Sequence, residues 1–130
     1  MEEIKVGEYI RTKDGIISKV TDILKGYCID CDNDVFDIGN GTMMEIPWEY
    51  IEEYVIKYSK NIIDLIEVGD IIEWEYEGFG YDGINEVIDR FDIIGVYGIE
   101  YDDTIPLKNI TIKRILTHEQ FENNVYRIGE

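Results

Sequence analysis

Residues 4 to 58 of this chain are answered, piece by piece and in the same order, by residues 66 to 117. Ile4-Lys5-Val6-Gly7-Glu8-Tyr9-Ile10 returns as Ile66-Glu67-Val68-Gly69-Asp70-Ile71-Ile72, and Tyr27-Cys28-Ile29-Asp30-Cys31-Asp32 returns as Tyr97-Gly98-Ile99-Glu100-Tyr101-Asp102. Ile46-Pro47-Trp48-Glu49-Tyr50-Ile51 is answered by Ile105-Pro106-Leu107-Lys108-Asn109-Ile110. The elements keep their order while the spacing between copies changes, which puts the differences in loops and predicts one supersecondary unit used twice. The expected division is 1–58, a short helical connector at 59–65, and 66–130. Units of about 60 residues stand near the lower limit for independent stability, so the two are expected to lean on each other.

Ile, Val and Tyr dominate the apolar 45% of the chain, a composition that favours strands. Asp14-Gly15 is a hairpin signal between Tyr9-Ile10 and Ile16-Ile17, and the longer Gly78–Gly83 stretch fills the same place in the second copy. Alternating residues predict strands at Ile16–Leu24, Tyr27–Cys31, Ile84–Ile88, Phe91–Val96 and Gly98–Tyr101. Ile46-Pro47 and Ile105-Pro106 are expected to lead into short return strands. Helix is scarce: Ser59 can cap a short helix over Lys60–Ile66, and Thr117-His118-Glu119-Gln120 is a capping box. Ile62, Ile63, Leu65 or Phe121 could then plug an open barrel end. This succession of entry strand, hairpin, two central strands and short return strand resembles SH3-like barrels. The predicted fold is mostly β: two tandem SH3-like barrels, each followed by a short helix.

The charge is as uneven as the pattern is regular. The formal net charge is −17, and between Glu67 and Asp103 Arg90 is the only base. Asp30 to Glu53 contains no base at all. Such a field repels nucleic acid and anionic membrane and attracts basic surfaces, so neither direct nucleic-acid binding nor membrane binding is expected. Alternation in Glu73-Trp74-Glu75-Tyr76-Glu77 puts three carboxylates on one face and two aromatic rings on the other. The expected contact surface comprises Glu73, Glu75, Tyr76, Glu77, Phe79, Tyr81, Asp82, Asp102 and Asp103, with Asp30, Asp32 and Asp34 from the first unit. The blander reading of the same segment makes Trp74 and Tyr76 core and the acids solubilising.

No cofactor or metal is expected. Cys28 and Cys31 have the C-x-x-C spacing, but strand geometry sends thiols three apart to opposite faces, and the one histidine, His118, is far off in sequence. Asp30, Asp32, Asp34 and Asp37 suggest an oxygen-rich loop, yet Val35 and Gly41 stand where a calcium loop of the EF-hand kind needs Gly and Glu. His118 itself reads as an exposed first-turn residue. No nucleophile elbow, phosphate loop or paired His-Glu motif occurs, so no enzyme activity is expected.

Ser59-Lys60-Asn61-Ile62-Ile63-Asp64-Leu65-Ile66-Glu67-Val68-Gly69-Asp70 resembles a segment of small phage and prophage proteins of low-GC Gram-positive bacteria. Glu8–Gly15 and Leu116–Glu122 are similar to flanking parts of the same proteins. The resemblance implies a mobile genetic element acting in the cytoplasm of a bacterial host, and it carries no activity or functional residue. A small acidic binding protein of that origin is expected to occupy the basic nucleic-acid channel of a host defence nuclease, such as a CRISPR effector. One alternative is a sponge for a nucleotide-derived immune signal, with Arg90, Lys108, Lys113 or Arg114 supplying the cation. Another is an adaptor that joins proteins through its edge strands.

Overall fold

Glycine at positive φ sets the entry to each half of the molecule. Gly7 (φ 93°) and Gly69 (φ 99°) occupy the third position of a four-residue turn, where a side chain would be strained. The turn is closed from the carbonyl of Lys5 to the N–H of Glu8, and from that of Glu67 to Asp70, each at 3.1 Å. The acidic fourth residue then reaches back: Glu8 Oε1 accepts the N–H of Lys5 at 2.6 Å, and Asp70 Oδ2 accepts that of Glu67 at 2.8 Å. A valine completes the motif in both places. Val20 bonds Gly7 and Glu8 through its backbone, and Val87 bonds Gly69 and Asp70.

The computed structural model describes residues 4–33, 35, 43–76, 80–98 and 103–124. It divides into two units, residues 1–65 and 66–130. The first holds β1 (Tyr9–Thr12), β2 (Ile17–Leu24), β3 (Cys28–Asp32), β4 (Met43–Pro47), a 3-10 turn (Trp48–Tyr50), α1 (Ile51–Tyr54), β5 (Val55–Ser59) and a second 3-10 turn (Ile62–Leu65). The second holds β6 (Ile71–Tyr76), β7 (Tyr81–Glu86), β8 (Ile88–Arg90), β9 (Ile93–Gly98), β10 (Asp103–Pro106), a 3-10 turn (Leu107–Asn109), β11 (Thr111–Leu116) and α2 (His118–Asn124). Every strand pair is antiparallel. The chain is mostly β, and among the described residues no helix is long and apolar enough to cross a membrane.

The first unit forms one sheet in the order β4-β3-β2-β1-β5. The second repeats that order in two pieces, β11-β6-β7 and β8-β9-β10, with Val87 at the break. Among the described residues no sheet closes on itself, so the barrels expected from the sequence are open sheets in their hydrogen bonding. One face of the first sheet carries the core: Ile10, Val20, Ile29, Cys31 and Ile46, joined by Ile4 and Ile51. Arg11 points to the opposite side of β1, is fully buried, and donates from Nη1 to the carbonyl of Leu65 at 2.9 Å. This bond pins the closing 3-10 turn to the first strand.

Several expected elements move. The two Ile-Pro pairs close a strand and open a 3-10 turn instead of starting a return strand. Proline holds φ near −60°, suited to the turn entrance, and keeps the preceding Ile46 and Ile105 extended and buried. The strand expected over Phe91–Val96 is interrupted at its start by Phe91 and Asp92, both at positive φ, which form a two-residue hairpin between Arg90 and Ile93. Phenylalanine there masks the turn, since such positions favour Gly and Asn. β7 begins at Tyr81, inside the stretch expected to be loop, because Gly83 lies opposite Trp74 and leaves room for the indole. Leu65 is buried as a plug residue would be, whereas Phe121 is exposed. The capping box forms as expected, with Thr117 N–H donating to Gln120 Oε1 at 3.1 Å and Gln120 N–H to Thr117 Oγ1 at 3.4 Å.

Gly95 makes a very close backbone approach in the second unit, since a Cβ there would lie 1.9 Å from the carbonyl oxygen of Ile105. Gly95→Ala is expected to cost at least about 3 kcal/mol in urea unfolding, because backbone and not a flexible side chain must yield. Gly26→Ala, at positive φ with open space around it, is expected to cost only about 1–2 kcal/mol.

Candidate interaction surface

Strand alternation sorts β3 into two chemistries. Ile29 and Cys31 face the core, while Cys28, Asp30 and Asp32 face the other way. The register of the sheet then sets Asp30 directly between Asp22 of β2 and Glu45 of β4. Neighbouring strands lie about 4.8 Å apart, so three carboxylates cross the outer face in a row about 10 Å long. Thr21 Oγ1 donates to the Asp30 carbonyl at 3.1 Å, and Asp22 Oδ1 accepts the N–H of Ile23 at 2.9 Å. Asp32, at the end of β3, is opposite Lys19 and Met43.

The two thiols report this field. Both are free and buried, and they point to opposite faces of β3. Burial raises the pKa of Cys28, and Glu45, Asp30 and Asp22 raise it further by their charge; the Cys28 thiol also lies 3.8 Å from Asp30 Oδ1. Burial, with Asp30 as a lesser cause, pushes Cys31 up to about 12. Neither thiol is a ready nucleophile, since the thiolate is the reactive form.

In the second unit the alternation of β6 is realised with Trp74 inward and Glu73 and Glu75 outward. Trp74 Nε1–H donates to Asn85 Oδ1 at 2.9 Å. The outward acids meet bases of β11: Glu73 pairs with Arg114, and Glu75 with Lys113 at 2.7 Å. The hydrogen bond to Glu75, then its charge, raises the Lys113 pKa. Asp82 is opposite Glu75, and Tyr76 is opposite Tyr81, both half-buried. Asp103 is exposed at the start of β10 and accepts the N–H of Thr104. Asp34, Glu77, Phe79 and Asp102 lie outside the described residues.

The structure thus gathers Asp30 and Asp32 on one sheet and Glu73, Glu75, Tyr76, Tyr81 and Asp82 on another. Only the first of these groups continues into a row of acids, and two of its members, Asp22 and Glu45, were missed in the sequence. Their signal is register: neither is remarkable until the strands are paired. Of the four cations considered for an anionic ligand, Lys113 and Arg114 are engaged by carboxylates, and the Arg90 guanidinium lies over the rings of Phe91 and Tyr97 at 5.3 and 5.5 Å. His118, expected as an exposed first-turn residue, opens α2 and is half-buried. Its Nε2 lies 2.7 Å from Glu67 Oε1, across 51 residues of sequence. No family model, curated protein or solved structure matches this chain.

The raised pKa of Cys31 fixes a sign for alkaline stability. The unfolded thiol loses its proton near 9 and the folded one near 12, so the folded state holds more protons in that window and stability falls as pH rises through it. The slope from this group approaches about 1.4 kcal/mol per pH unit. Urea unfolding at pH 8 and pH 10.5 is expected to show that loss, and Cys31→Val to reduce it.

Proposed function

We propose that this chain is a non-enzymatic acidic binding protein that docks on the basic, nucleic-acid-binding surface of another protein. The resemblance to phage proteins favours a host defence nuclease, such as a CRISPR effector, as that partner, met in the bacterial cytoplasm. The observation that carries the reading is the Asp22–Asp30–Glu45 row. Like charges set directly opposite each other across a sheet cost roughly 0.2–1 kcal/mol per pair, so the arrangement lowers stability while concentrating a negative field on a firm surface. A phosphate backbone offers a basic channel the same thing: regularly spaced negative charge. The net charge of −17 strengthens long-range attraction to such a channel.

We read both units as SH3-like, supported by the shared strand order, the Ile-Pro entrance to a 3-10 turn before the last strand, and the repeated acidic turn. The nucleotide-sponge reading is weaker, because Lys113 and Arg114 are committed to Glu75 and Glu73.

Displacement of a fluorescent DNA from purified CRISPR effectors and other host nucleases tests the proposal. Inhibition is expected to weaken steeply between 50 and 500 mM salt. A triple variant, Asp22→Asn, Asp30→Asn and Glu45→Gln, is expected to bind about tenfold more weakly, at about 0.5 kcal/mol per charge. Salt-indifferent binding, undiminished inhibition by the variant, or no displacement from any basic nuclease would sink the idea. An adaptor would show the last pattern.

A further inference from the structure

The second copy of the entry turn carries chemistry that the first lacks. Where the first unit has Lys5, the second has Glu67, and its last strand is followed by a helix that begins at His118. Asp70, fully buried, holds the two segments together: Oδ2 accepts the N–H of Glu67 at 2.8 Å, and Oδ1 accepts the N–H of His118 at 2.9 Å. The His118 side chain packs against the turn at Gly69, its Cβ at an ordinary contact distance of 3.6 Å from where a Cβ on Gly69 would stand. As a result His118 Nε2 is 2.7 Å from Glu67 Oε1 and 3.3 Å from Glu119 Oε1, and the three donor atoms lie within 4.8 Å of one another.

We propose that Glu67, His118 and Glu119 form a binding site for a single divalent transition-metal ion of the zinc class. One imidazole nitrogen and two carboxylate oxygens are the donor types such ions take, and a neutral imidazole with two carboxylates supplies the formal −2 that a divalent ion balances. The distances fit. Tetrahedral zinc with bonds of about 2.0–2.1 Å separates its donors by about 3.3 Å. The His118–Glu119 spacing already has that value, and the Glu67 carboxylate needs to withdraw by about 0.6 Å about its flexible side chain. The donors are partly withdrawn from water, with side-chain exposures of 35% for His118, 22% for Glu67 and 15% for Glu119. Asp70 acts as the positioning residue, fixing the backbone under two of the three ligands. The ion would clip α2 to the opening turn of its own unit.

A second cluster, Cys28, Asp30 and Glu45, also brings three donors together. Its thiol is held protonated by burial and by the neighbouring carboxylates, and metals bind the thiolate. The two clusters are separable by spectroscopy.

Calorimetric titration of the full chain with Zn2+ is expected to give one ion per chain, and the Tm is expected to rise with Zn2+ concentration. His118→Gln should weaken binding at least about tenfold and abolish the Tm rise. Glu119→Gln, which leaves Thr117 and Gln120 to cap the helix, should weaken it as well and serves if the histidine variant folds poorly. In 15N spectra the ring nitrogen of His118 should shift on zinc addition. With Co2+ as the probe, the near-ultraviolet spectrum should lack a thiolate charge-transfer band. Unchanged binding in both variants, a thiolate band, or many weak equivalent sites spread over the acidic surface would overturn the proposal.

Discussion

A carboxylate folded back on its own turn is the interaction from which both units are built. Glu8 and Asp70 each accept the backbone N–H three residues earlier, beside a glycine held at positive φ. The turn fixes where the first strand of its unit starts, and its backbone binds a valine, Val20 or Val87, at the point where the second strand bends or breaks. Charged acceptors make stronger bonds than neutral ones, and buried backbone donors left unmet are costly. The acidity of these two positions is therefore structural, in contrast to that of the exposed acids.

That distinction separates the negative charges into kinds with different physics. Asp70 is buried and satisfied by backbone donors. Glu73 and Glu75 are balanced locally by Arg114 and Lys113. Asp22, Asp30 and Glu45 are arranged against one another across three strands, and a buried thiol beside them is made harder to ionise by all three. A net charge does not reveal this sorting.

The repeat in the sequence carried most of the architecture. The Val-Gly-acid turns, the Ile-Pro pairs and the Thr117–Gln120 box each encode local geometry in adjacent residues, so they were legible. The turn at Phe91-Asp92 was not, because its residues are not those that positive φ ordinarily selects. Trp74 and Glu75 fell on the faces that alternation assigns, but the partners of Glu73 and Glu75 on β11 depend on a register shift between Ile112 and Arg114. The Asp22–Asp30 opposition likewise follows a bulge after Val20. A one-residue irregularity changes every later cross-strand neighbour, and single-sequence periodicity carries no record of it. The contact of His118 with Glu67 was not legible for a related reason: the two are local in space only after β11 has paired with β6.

The gap at Val87 gives the two halves of this duplicated chain different mechanical characters. In the first unit, interstrand bonding runs without a seam from β4 to β5, so a disturbance at one margin is shared by all five strands. In the second, the ladder is cut between β7 and β8, and Val87 directs both its backbone groups to the entry turn. Two three-stranded leaves meet there at a crease, anchored to Gly69 and Asp70. Slow amide exchange should therefore decay as one cooperative block over strands β1–β5, and as two blocks over β6–β11, divided at that crease.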